Sequence, residues 1–221
     1  MTRINKFVAL ASGVSRRGAD AAIADGRVFV NDAVPTSGYD VQPSDVITFD
    51  GHVLTPPATT QTIIYNKPPG YVVSRDGQGS ETIYDILPDT LDHLKPVGRL
   101  DKYSSGLLLL TNDGTLAQEL THPRYQKVKV YEIILNHPLQ PLHRQMIQDN
   151  GILLADGVSK LQLERLRETN DTAWRVTMHE GRNRQIRRTF EALGYTISKL
   201  HRTTFGPYSL GDLEPGKYKT I

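Results

Sequence analysis

Residues 97–114 read VGRLDKYSSGLLLLTNDG. The four consecutive leucines, Leu107–Leu110, read as a core strand, and the charged GRLD just before them reads as more strand material around a loop. An aspartate beside so apolar a run is either a solvated turn residue or a carboxylate kept ionised at the edge of a dry pocket. The rest of the chain decides between the two.

Composition narrows the field. The chain has 221 residues, 38% hydrophobic and 23% charged, enough for one large domain or two small ones. No apolar run approaches the ~20 residues of a membrane span, and the N-terminus shows no cleavage pattern, so neither a membrane anchor nor a signal peptide is expected. Cysteine is absent, which excludes disulfides, thiol nucleophiles and cysteine-bound zinc. The histidines are scattered without metal-ligand spacing, and neither a Walker loop nor a dinucleotide glycine fingerprint is present. No metal and no cofactor are therefore expected, and a cytoplasmic address fits. Net charge is only +2. Between Gly181 and Arg202, however, Arg182, Arg184, Arg187, Arg188, Lys199 and Arg202 face one acid, Glu191, a basic block suited to phosphate.

Two units are expected. In residues 1–53, INKFVALA has helical spacing. Ser15 is placed to cap a second helix that contains Gly18, at a cost of about 1 kcal/mol relative to alanine, and ends at Gly26. RVFV leads to a turn at Asn31–Asp32, and a further strand follows in SDVITFDG. HVLTPPATTQ reads as a linker, centred on residues 54–61. From residue 62 onward, TIIYNKPPGYVVS reads as strand, turn, strand. KVKVYEIIL, AWRVTMHEG and YTISKLHRTTFG read as strands. GTLAQELT, PLHRQMIQDNG and RNRQIRRTFEALG read as helices. Many strands with few helices give an α+β fold on a mainly antiparallel sheet, behind a small N-terminal module of two helices plus short strands.

Three places could carry chemistry. Asp101 lies among Leu100 and the leucines, where a carboxylate stays charged only if a cation compensates it. On a strand, adjacent Arg99 points to the other face, so the cation comes from elsewhere. EGRNRQIRR, 180–188, is the natural donor. On a helix Arg184, Arg187 and Arg188 share a side, and spacing leaves open which of them turns inward. Tyr131, on the face of its strand shared with Lys129 and Ile133, could stack on an unstacked base.

Together these motifs resemble the ribosomal RNA pseudouridine synthases of the RsuA and RluB type, over nearly the whole chain. GRLDKYSSGLLLLTNDG resembles the motif with the catalytic aspartate, which implies that role for Asp101. KVYEI resembles the motif of the active-site tyrosine, implying Tyr131. The Gln-Ile-Arg triplet of EGRNRQIRR implies Arg187 as the partner of the carboxylate. KLHR implies Leu200 as a wall of the uracil pocket, and NKPPGYVVS matches the opening strand segment. Residues 1–53 resemble the RNA-binding module of a ribosomal small-subunit protein, implying that Ser15, Arg16 and Arg17 face RNA. Arg99, Arg182, Arg184 and Arg188 complete the implied substrate contacts. Tyr103 departs from the family pattern, and so does the lack of an acidic helical tail after Ile221. The resemblance implies an enzyme that isomerises a uridine in ribosomal RNA, 23S more than 16S and possibly within a pre-ribosomal particle, without cofactor; a monomer is expected because the RNA supplies the partner surface. The alternatives are a non-catalytic ribosome assembly factor on the same scaffold, and a helix-turn-helix regulator that the strand after the two helices disfavours.

Overall fold

The computed structural model describes residues 2–55 and 59–221. The contacts divide the chain into two compact units, Met1–Thr60 and Gln61–Ile221. The middle of the expected linker, residues 56–58, lies outside the described residues.

In the first unit, a helix at Ile4–Ser12 turns at Gly13 and a second runs over Arg16–Ala24. Ser15 Oγ caps the second by accepting from the Gly18 amide at 2.9 Å. The apparent weakness of Gly18 has a local reason: a Cβ there would sit 3.2 Å from the capping oxygen. Val28–Val30 pairs antiparallel with Ile47–Phe49. Asn31 and Asp32 both take positive φ, 48° and 67°, as a tight turn beside a strand demands. Ile4, Val8, Ala19, Ile23, Val28 and Ile47 form the core, so the apolar side of each helix faces the strands. His52–Val53 does not open the linker; it adds a third strand to Ile47–Phe49.

The second unit is built on a nine-stranded sheet. Its order runs from the edge strand Gln162–Arg165 through Ala173–Met178, the tyrosine strand Lys129–Leu135, the return strand Ile197–Phe205, the leucine strand Ser105–Thr111 and Thr62–Lys67 to Tyr218–Thr220. Lys95–Val97 also pairs with the leucine strand, and Tyr208–Ser209 with the return strand. All of these pairings are antiparallel except one. The return and leucine strands run parallel through two register pairs, His201 with Ser105 and Arg202 with Gly106.

The leucine run is explained by covering on both faces. Leu108 and Leu110 join the main core with Ile63, Tyr65 and Leu100. Leu107 and Leu109 point the other way, onto Ile64, Val97, Leu120 and Phe205. Each buried leucine contributes roughly 2 kcal/mol, which makes this strand a firm anchor for the loop that precedes it. Two expectations are corrected. GRLD is not strand: pairing stops at Val97, and Gly98 turns the chain with φ 71°. The segment after Pro68-Pro69-Gly70 is not a second strand either, and it holds only a bridge from Val72 to Thr82. Its backbone is used instead to fold over the Asp101 loop, where the Gly70 amide donates to Lys102 O at 2.7 Å.

Candidate active site

The Asp101 loop, residues 98–104, is held from behind by a lysine. Lys67 is fully buried, and its Nζ lies 2.9 Å from Pro68 O, 3.4 Å from Asp101 O, 3.3 Å from Lys102 O and 2.9 Å from Ser104 O. One ammonium thus gathers four carbonyls, three of them from the loop. Burial lowers the pKa of Lys67 to about 8, while the Asp101 charge pulls it back up. Sequence reasoning missed this residue. The signal was present: Ile63, Tyr65 and Lys67 share one face of the strand, and the first two are core.

Arg187 reaches the same loop from the other side. It leaves the helix Gln185–Glu191 and donates to Ile197 O at 2.9 Å, Tyr103 O at 3.3 Å and Ser104 Oγ at 3.5 Å. Burial and the neighbouring Arg184 lower its pKa; Asp101 and Glu191 act in the opposite direction. The expected contact ion pair between Arg187 and Asp101 is corrected here. Among the described residues no ion pair includes Asp101, and the guanidinium binds the loop backbone two residues further on. Asp101 itself is half-buried. The loop adjoins an apolar wall, since Leu100, Tyr131, Ile186 and Leu200 belong to one buried cluster. Tyr131 pairs across the sheet with Val176 and Arg202, and Leu200 with Ile133.

The other basic residues fall into different roles. Arg99 is exposed on the loop. Arg184 is not on the helix: it precedes it in a left-handed conformation, φ 47°, and pairs with Glu191 at 3.5 Å. The expected shared face of Arg184, Arg187 and Arg188 is therefore absent. Arg188 pairs with Asp156 at 2.7 Å. Arg182 meets Asp156 at 3.0 Å and Glu180 at 3.3 Å, and donates to the carbonyls of Asp156, Gly157 and Val158. These contacts, with Gln185 and Thr189 on Ser159 Oγ at 3.1 and 2.7 Å, weld the short helix to the hairpin Ile152–Ser159. Arg202, counted with the phosphate-facing block, is 2% exposed and donates to Leu107 O at 2.8 Å. In the first unit, Arg16 and Arg17 are exposed, and Arg16 donates to Asn5 Oδ1 at 3.2 Å.

An aspartate loop, a tyrosine strand and an inward arginine thus meet around an apolar cluster, and residues 61–192 match the RNA pseudouridylate synthase family. The chain belongs to that family. Residues 2–47 match the S4 domain. An uncharacterised RNA pseudouridine synthase of Aquifex aeolicus is 39% identical over 99% of this chain and 90% of its own length. Ribosomal large subunit pseudouridine synthase B of Xanthomonas campestris is 38% identical over 94% of this chain, which spans only 44% of that longer protein. A crystal structure of a pseudouridylate synthase superposes with TM-score 0.71 at 32% identity, covering 100% of this chain and 96% of the other. The two units of this synthase are therefore an S4 domain and a pseudouridine synthase domain. No helix among the described residues of the synthase is long and apolar enough to cross a membrane.

Proposed function

We propose that this synthase isomerises a uridine of ribosomal RNA, in the large subunit rather than the small. The name of the Xanthomonas relative supports the target. The observation that carries the chemistry is the Asp101 loop, knitted by Lys67 and Arg187 beside Leu100, Tyr131 and Leu200. Lys67 and Arg187 bring two cations to the backbone of this loop and leave the Asp101 carboxylate unpaired by either.

In the reaction, the uridine leaves its stack at a cost of a few kcal/mol. Its N1–C1′ bond breaks, the base turns, and C5 joins C1′; N1 gains a proton and C5 gives one up. Asp101 meets the positive charge that develops on the sugar. Tyr131 stacks on the uracil and Leu200 closes its edge. Arg187 acts as a positioning residue through the backbone of Tyr103 and Ser104. The S4 domain, with Ser15, Arg16 and Arg17, contributes phosphate contacts that offset the cost of flipping. The product is an isomer, so the residues need only bind, orient and move protons.

Tritium release from C5-labelled uridine in ribosomal RNA tests this reading. Asp101→Asn is expected to lose turnover by at least about 1,000-fold while retaining RNA affinity. Turnover by that variant at the wild-type rate removes Asp101 from the chemistry. An inactive wild-type chain that binds pre-ribosomal RNA favours the assembly-factor alternative.

A further inference from the structure

The arginines at positions 182, 184 and 188 are each neutralised by an acid of the same chain. A different segment is not. Residues 122–129, HPRYQKVK, carry His122, Arg124, Lys127 and Lys129, and no acid occurs from Leu120 to Tyr131. Among the described residues, no ion pair includes Arg124, Lys127 or Lys129. Residues 122–126 are exposed.

The segment is also shaped. Pro123–Tyr125 is a 3-10 turn, His122 accepts from the Arg124 amide at 3.2 Å, and Gln126 is left-handed at φ 43°. Gly206 N donates to Val128 O at 2.8 Å, and the His179 ring lies 3.4 Å from Gln126 O. On this base the Arg124 guanidinium stacks 4.4 Å from the Tyr125 ring centroid and donates to its hydroxyl. Lys127 Nζ lies 5.7 Å from the same ring, and the His122 ring meets it edge-on at 6.1 Å. Lys129 Nζ sits over Phe205 at 5.4 Å, and Arg202 over the same ring at 4.8 Å. Burial and the Arg202 charge depress the pKa of Lys129, and Glu180 raises it only in part. Glu180 is itself held by Arg182 and Gln185.

Position adds the last link. The tyrosine strand begins at Lys129, and Tyr131 stands two residues along it, about 7 Å away. We propose that residues 122–129 are the surface on which the single-stranded RNA flanking the target uridine docks, a base on the Arg124–Tyr125 stack and phosphates on Lys127 and Lys129. The inference rests on the pseudouridine synthase reading for the location of the target base at Tyr131. The charge fits any polyanion; the flat, preformed guanidinium–tyrosine stack fits one that carries aromatic faces.

The test uses the full chain and a fluorescein-labelled oligouridylate of about ten nucleotides, within the site sizes of single-strand binders. Binding is followed against salt, both in the wild-type background and with Arg16→Glu/Arg17→Glu, so that the S4 domain does not mask the result. Arg124→Gln/Lys127→Gln is expected to weaken binding about tenfold at low salt and to flatten the log Kd against log salt slope by about 1.4. Tyr125→Ala should weaken it about tenfold with little change of slope, and Tyr125→Phe should restore most of the loss. Arg165→Gln, which removes an arginine already paired with Asp171, is the charge control. An unchanged slope in the double variant overturns the proposal, as does competition by polyglutamate as effective as by unlabelled oligouridylate. Tritium release by the wild-type chain is read separately: its absence defeats the synthase reading, whereas active wild type with insensitive binding defeats this surface alone.

Discussion

Arg182–Arg188 and His122–Lys129 look alike in sequence, yet they differ in what neutralises them. The first stretch is matched by Asp156, Glu180 and Glu191. It turns inward, fastening a seven-residue helix to a hairpin and sending Arg187 to the Asp101 loop. The second has no matching acid and is largely exposed. Basic residues close together in a chain thus do not by themselves make a positive surface. The acid that cancels them can come from a segment about thirty residues away, as Asp156 does for Arg188.

The largest expected effect probes the inward side. Lys67→Met leaves loop carbonyls without a donor, and is expected to cost about 3 kcal/mol in urea denaturation. Turnover should fall about 100-fold through a displaced loop, without the flatter salt slope expected of the outward segment. A flatter slope would place Lys67 among the phosphate contacts and break the distinction.

A pH series sharpens the same point. Lys67 gives up its proton near 8 in the folded chain, against an ordinary value of 10.5. Between about pH 8 and 9.5, below tyrosine ionisation, the folded state binds fewer protons than the unfolded, so this lysine makes stability rise with pH. Turnover should decline over the same interval, as the charge behind Asp101 is lost. Urea midpoints and tritium release measured in parallel should diverge, and Lys67→Met should reduce the rise. A parallel fall of both removes Lys67 as the controlling group.

The smallest effect concerns the masking acid. Asp156→Asn frees Arg188 and leaves Arg182 paired with Glu180, and should lower the melting temperature while raising low-salt RNA affinity by about threefold. If affinity falls instead, these arginines already serve the RNA through Asp156, and the two stretches are less different than their ion pairs suggest.

Much of this architecture was legible before any coordinates. Ser15 as a cap, the turn at Asn31–Asp32, the leucine strand and the tyrosine strand follow from patterns a few residues wide, where sidedness and turn chemistry act locally. The errors lie where distant segments meet. GRLD looked like strand, but Lys67, 34 residues from Asp101, gathers the carbonyls of Asp101, Lys102 and Ser104 into a loop. Arg184 looked helical, yet Glu191 and a left-handed turn hold it outside. The contact between Arg187 and the loop spans 84 positions, and spacing alone could not show that it would land on the backbone of Tyr103 rather than on the Asp101 carboxylate.

The short parallel junction has a consequence for how the two halves of the sheet meet. Asp101 and Lys67 belong to one half of the sheet; Tyr131, Leu200 and the strand end that receives Arg187 belong to the other. The halves abut where Gly106, at φ 102°, lies so close to the Arg202 backbone that a Cβ would collide with its carbonyl. A missing methyl group therefore sets how closely the two halves of the sheet can approach, as a spacer of zero thickness between them.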